Sequence, residues 1–247
     1  MAASSDSSIR VKARVGGALW LAVIVTGVLG QLLARSLLVP NNPGATAAGI
    51  LRGESSFRVA FVATLISGML YVGVTVILYE MLKRVSGTLA VVSAAFGMTG
   101  SIVSFATSVA DLATLVLLKA SYVSSSEAPQ MQLLSLVSLG ITRQGYILSM
   151  VFFGSQILIV GYLIARSTFL PRKLGALLMI GGFTYILGSL GTILSPELGA
   201  PLFRLSLLLA LAGEGSLALW LLFKAVDVRQ WSASHDVPIH VGLNDAV

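Results

Sequence analysis

The chain of 247 residues contains no cysteine, and its only histidines, His235 and His240, lie in its polar last segment. The first absence excludes disulfides, thiolate metal sites, iron–sulfur clusters and cysteine nucleophiles. The second removes imidazole from every apolar stretch, so no haem or histidine-held metal is expected there. Charge is also scarce: Asp, Glu, Lys and Arg make up 11% of the residues, against about 25% in a soluble domain. The five lysines, Lys12, Lys83, Lys119, Lys173 and Lys224, all stand near the N-terminus or at the ends of apolar runs, which argues against a buried Schiff base. No pair of Asp-rich motifs is present to hold magnesium for a prenyl diphosphate. The expected metals and cofactors are therefore none. The net charge of +6 does not point to nucleic acid. Its basic residues flank apolar runs, as topology signals and anionic-lipid contacts do.

What is abundant is apolar sequence: 56% of the residues are hydrophobic. Six runs stand out, at residues 15–34, 59–82, 88–118, 145–165, 174–194 and 205–223. Each is close to or above the roughly 20 apolar residues that cross a bilayer. The first exceeds the roughly 7–15 residues of a signal-peptide core and lacks a convincing cleavage site, so it reads as a retained anchor. The expected fold is all-α: a polytopic bundle of six transmembrane helices over residues 15–228. A tail of residues 1–14 precedes it and a disordered tail of residues 229–247 follows.

Lys and Arg counts in short loops orient such a bundle. One side collects Arg10, Lys12, Arg14, Lys83, Arg84, Arg166, Arg172, Lys173, Lys224 and Arg229; the other collects Arg35, Arg52, Arg58, Lys119, Arg143 and Arg204. The richer side reads as cytoplasmic, which puts both termini inside a cell-membrane protein. On the outer side, "NNPGATAAGILRGESSFR" reads as a short surface helix. "SSSEAPQMQLLSLVSLGITRQ" reads as a short amphipathic outer helix before the fourth span, with Ser126 as N-cap and Pro129 in its first turn. If it were continuous with that span, the helix would have to project outward or bend near Gly140 and Gly145.

Polar residues recur at helical spacing within the spans. Ser93, Gly97, Gly100, Ser104, Thr107, Asp111 and Thr114 share one face; Thr64, Gly68, Tyr71 and Thr75 share another. Gln132, Ser135, Ser138, Thr142, Tyr146, Ser149 and Gln156 form a third stripe, and Tyr185, Ser189 and Thr192 a fourth. Lipid satisfies no polar group, so these faces are expected to turn inward. Two readings compete: close helix packing through small residues and hydroxyls, or a polar-lined cavity for a ligand.

Three stretches carry a family resemblance: "GYILSMVFFGSQILIVGYLIARSTFLPRKLGALL" (145–178), "AGEGSLALWLLFKAV" (212–226) and "LLVPNNPGATAAGIL" (37–51). Together they resemble prokaryotic membrane proteins grouped as domain-of-unknown-function family 4386. The resemblance implies a six-helix integral membrane protein and brings no activity with it.

Four charges mark candidate sites. Glu80 is expected to pair at the surface with Lys83, three residues on. Asp111 and Arg143 fall on the same membrane side and are expected to neutralise each other. Glu214 sits at the middle of "LSLLLALAGEGSLALWLLF", where a bare carboxylate is costly. It is expected to face the bundle beside the third- or fifth-span stripe. Asp111, Arg143 and Glu214, with Tyr71, Tyr146 and Tyr185, are the candidate ligand-binding residues. The favoured reading is a non-enzymatic protein that binds or handles a small hydrophobic or amphipathic molecule, or assists a membrane partner. The alternative is a cofactor-free enzyme acting on a lipid or isoprenoid, with Asp111 and Glu214 as acids by analogy with terpene cyclases. Expected partners are the lipid bilayer and a small hydrophobic molecule, with no nucleic acid.

Overall fold

The computed structural model describes residues 2–40, 42–123 and 128–233, which form helices with short connections and, among these residues, no strand. Eight helices follow in order: α1 (Ala2–Ser36), α2 (Pro43–Arg52), α3 (Glu54–Leu82), α4 (Gly87–Val123), α5 (Ala128–Arg166), α6 (Arg172–Leu194), α7 (Pro196–Phe223) and α8 (Val228–Ala233). Six of them, α1 and α3 to α7, are long and apolar enough to cross a membrane. The expected all-α fold with six spans is what the chain adopts.

Local chemistry sets the boundaries. The Asn42 side chain accepts a hydrogen bond from the Ala45 N–H at 3.0 Å, and Pro43 opens α2, so a capping side chain and a preset φ start the surface helix that the sequence predicts. Pro171 precedes α6 and Pro196 begins α7, both where a missing N–H costs nothing. α7 ends in a left-handed turn at Ala225, with φ of 57°, and the chain then enters α8.

The spans pack as a ring. α1 meets α3, α3 meets α4, and so on through α5, α6 and α7, and α7 closes back onto α1. With an even number of crossings, the two ends of the chain come to one face. There Ile9 and Ala13 of α1 join Val228 and Trp231 of α8 in the core. The residues before Val15 thus continue the first helix, and Arg229 to Ala233 belong to α8. The rest of the expected C-terminal tail and the Ser126 cap lie outside the described residues.

α4 and α5 are the longest helices, 37 and 39 residues. At 1.5 Å per residue they reach about 56 and 58 Å, well past a hydrocarbon core of about 30 Å. The outer helix expected before the fourth span is the first part of α5 itself, unbroken at Gly140 and Gly145. A Cβ on Gly145 would collide with the Thr107 side chain, so this glycine lets α5 approach α4 closely. Beyond the ring, α2 lies on the α4–α5 hairpin through Ala47, Ile50, Leu115 and Leu118.

Candidate ligand cavity

The half of the ring next to the chain ends is filled. Met81, Leu163, Ile164, Leu178, Leu217, Ala218 and Leu221 are all buried there. The half toward α2 is hollow. A cavity of about 350 Å³ lies inside it, bounded by all six spans; that is within the roughly 300–1,000 Å³ of small-molecule sites.

Glu214 of α7 forms the cavity floor and is 8% exposed. Trp20 of α1, 1% exposed, donates its indole N–H to Glu214 Oε2 at 3.0 Å. The Tyr185 hydroxyl of α6 lies beside the same carboxyl. The indole N–H offsets part of the cost of a carboxyl at this depth, and it ties α1 to α7. Tyr71 of α3 and Tyr146 of α5 also line the cavity, within electrostatic range of Glu214. The Tyr71 ring stands edge-on to Phe153 at 4.7 Å. Its hydroxyl is buried without a hydrogen-bond partner, an arrangement that native interiors rarely leave unanswered.

Four of the six candidate residues therefore converge: Glu214, Tyr71, Tyr146 and Tyr185. Glu214 meets the fifth-span stripe, as its sequence setting demanded. Trp20 was missed, because an indole inside an apolar run scores as one more hydrophobic residue. Its usable signal was position: a tryptophan deep in a span, away from the interfacial belt, needs a partner for its N–H.

Asp111 and Arg143 lie elsewhere and do not meet. Among the described residues no ion pair joins them. The Thr142 hydroxyl lies near Asp111 and donates to the Thr107 carbonyl at 3.2 Å. Successive helical residues are about 100° apart, so if Thr142 faces α4 then Arg143 is turned away, and it is exposed. Glu80 also finds a different partner. Lys12 of α1 reaches it at 2.5 Å, while the Lys83 ammonium stands 5.5 Å from the centre of the Tyr79 ring.

The family model described as a domain of unknown function, DUF4386, matches residues 15–225. That match takes in every span and every residue of the cavity. The chain belongs to this family. No curated protein and no solved structure matches it. The family places no chemistry on Glu214 or its neighbours, so the cavity must be read from its own side chains.

Proposed function

We propose that this multi-pass membrane protein binds a small hydrophobic or amphipathic molecule in the cavity above Glu214. One observation carries the reading: six spans rich in small residues leave about 350 Å³ unfilled at the place where Glu214, Tyr71, Tyr146 and Tyr185 gather. Packing alone would close such a space, because unfilled volume forfeits dispersion contacts. The walls are chiefly apolar with a few convergent polar groups, the usual make-up of a small-molecule site. Glu214, Trp20 and Tyr185 form a fixed polar end, and the ring of Tyr71 adds to the wall beside it.

Acid catalysis on an isoprenoid is less well supported, because Asp111, the second acid it would use, lies outside the cavity lining. The chain ends and the Lys-rich loops share one face, which we assign to the cytoplasm by the excess of Lys and Arg there. Cysteines introduced at Thr168 and Gly44, in a chain with none of its own, should label from opposite sides of the cell membrane.

The deciding experiment is mass spectrometry of molecules that copurify with the protein in mild detergent. A retained species should be lost from Leu211→Trp, which fills the cavity. Equal retention by the native protein and Leu211→Trp would sink the reading.

A further inference from the structure

The walls of the cavity differ in what lies behind them. Near the chain ends α1 and α7 touch closely: a Cβ on Gly17 would come within 2.6 Å of the Ala218 carbonyl oxygen. Toward α2 their facing side chains are large. Val28 and Leu32 of α1 and Leu208 and Leu211 of α7 all line the cavity, and they are 45%, 62%, 66% and 41% exposed. These four residues border the cavity and the outer surface of a membrane-spanning ring at once. Along this wall only side chains separate the cavity from the outside, so parting them would open it sideways, to acyl chain rather than to water.

The rim of the same wall carries a charge. Arg35, in the last turn of α1, lines the cavity and is exposed. Among the described residues no ion pair involves it, and it is the only basic residue of the lining. A guanidinium is always charged and binds carboxylate or phosphate in a fork. At the end of a span it lies at headgroup level. The floor asks for no anion, since Glu214 is itself acidic and already accepts from Trp20. Along α1, from Trp20 at the floor to Arg35 at the rim, is about 22 Å at 1.5 Å per residue. One leaflet of a hydrocarbon core of about 30 Å offers about 15 Å of chain depth, so a single extended chain fits between the two ends.

Building on the reading of the cavity as a binding site, we propose that its occupant is an anionic single-chain amphipath taken from the bilayer, which slides in between α1 and α7 and rests its head group on Arg35. The side-chain wall supplies the route, Arg35 supplies the sign of the head, and the apolar edges of α1 and α7 hold the chain.

The test uses the full chain in nanodiscs of uncharged phosphatidylcholine, with doxyl-labelled stearate and its methyl ester as probes and spin-label immobilisation as the readout. The native protein should immobilise stearate more than the ester. Arg35→Gln should weaken stearate binding about tenfold, the effect of one lost charge-assisted hydrogen bond, and leave the ester unchanged. Val28→Cys with Leu208→Cys, joined by a short bifunctional maleimide, should take up neither probe, whereas the unjoined pair should take up both. The proposal is overturned if the native protein fails to immobilise stearate, if Arg35→Gln binds it normally, or if the joined pair loads at the native rate. Displacement of stearate by inorganic phosphate would assign the rim to a free anion and overturn the lipid source. The cavity reading itself is judged separately by Leu211→Trp. If that variant loses its copurifying molecule while Arg35→Gln and the tether change nothing, the binding site stands and this route falls.

Discussion

Two seams of the ring, α5 against α6 and α1 against α7, are built from similar residues and end differently. Along the first, glycines face glycines at two levels. A Cβ on Gly154 would lie 2.8 Å from the Gly182 carbonyl oxygen, and one on Gly161 would lie 2.6 Å from that of Gly175. The two levels are seven residues apart on each antiparallel helix, so the backbones stay close over two turns. On the second seam, Gly17 makes one such contact at one end. Farther along, Val28 and Leu32 of α1 and Leu208 and Leu211 of α7 line the cavity instead. The number of small residues in a helix does not tell whether a seam is closed; their pairing at matched heights does.

The comparison can be broken most severely at the closed seam. In Gly161→Leu the new side chain meets backbone, which cannot move aside as a side-chain tip can. Overpacking of this kind costs about 3 kcal/mol, and the variant should lose most of its monodisperse protein or melt far lower in detergent. Gly215→Leu, whose Cβ meets nothing within 4 Å, should melt near the native temperature. Equal melting of the two would remove the distinction between the seams.

Next in size is the polar tie across the second seam. Glu214→Leu leaves the buried Trp20 N–H without its acceptor, a loss of about 2 kcal/mol. Glu214→Gln keeps an acceptor and should lose less than about 1 kcal/mol. A melting series in which Gln is as damaging as Leu would show that the charge, rather than the hydrogen bond, holds α1 to α7.

The smallest effects belong outside both seams. Asp111→Asn and Arg143→Gln should be additive within about 0.5 kcal/mol in a double-mutant cycle, because the two side chains do not meet. Lys12→Gln should cost no more than about 1 kcal/mol, as exposed ion pairs do. A coupling between Asp111 and Arg143 well above that range would restore the clasp that their shared membrane side suggested.

The sequence showed the six spans because apolar run length is a direct reading of bilayer thickness. It showed the inward stripes because helical spacing is local information. The three tyrosines of the cavity lining were picked out in this way, and Glu214 stood out as the charge at the middle of its span. What it did not show depends on rotation and on which helices become neighbours. Arg143 sits one residue past the stripe member Thr142, and that single step turns it from α4 to the exterior. Lys83 is the near partner of Glu80 in sequence, but Lys12 is the near one in space, because α1 packs on α3. The close approach of Gly145 to Thr107 of α4 was not visible in the sequence either. The cavity itself was the least legible, since no single helix contains it.

The seam between α1 and α7 also fixes an order of events during synthesis. It joins the first span of the chain to the last. At about 5–20 residues per second, roughly ten seconds or more separate the emergence of Trp20 from that of Glu214. Throughout that interval the growing protein is an open arc, with the Trp20 N–H and the Gly17 surface facing lipid. The costliest residue of the chain is delivered last, when Trp20 and Tyr185 are already in the membrane to receive it. A ribosome stalled before the final span would hold a protein with its α1 edge unmet and its cavity not yet enclosed.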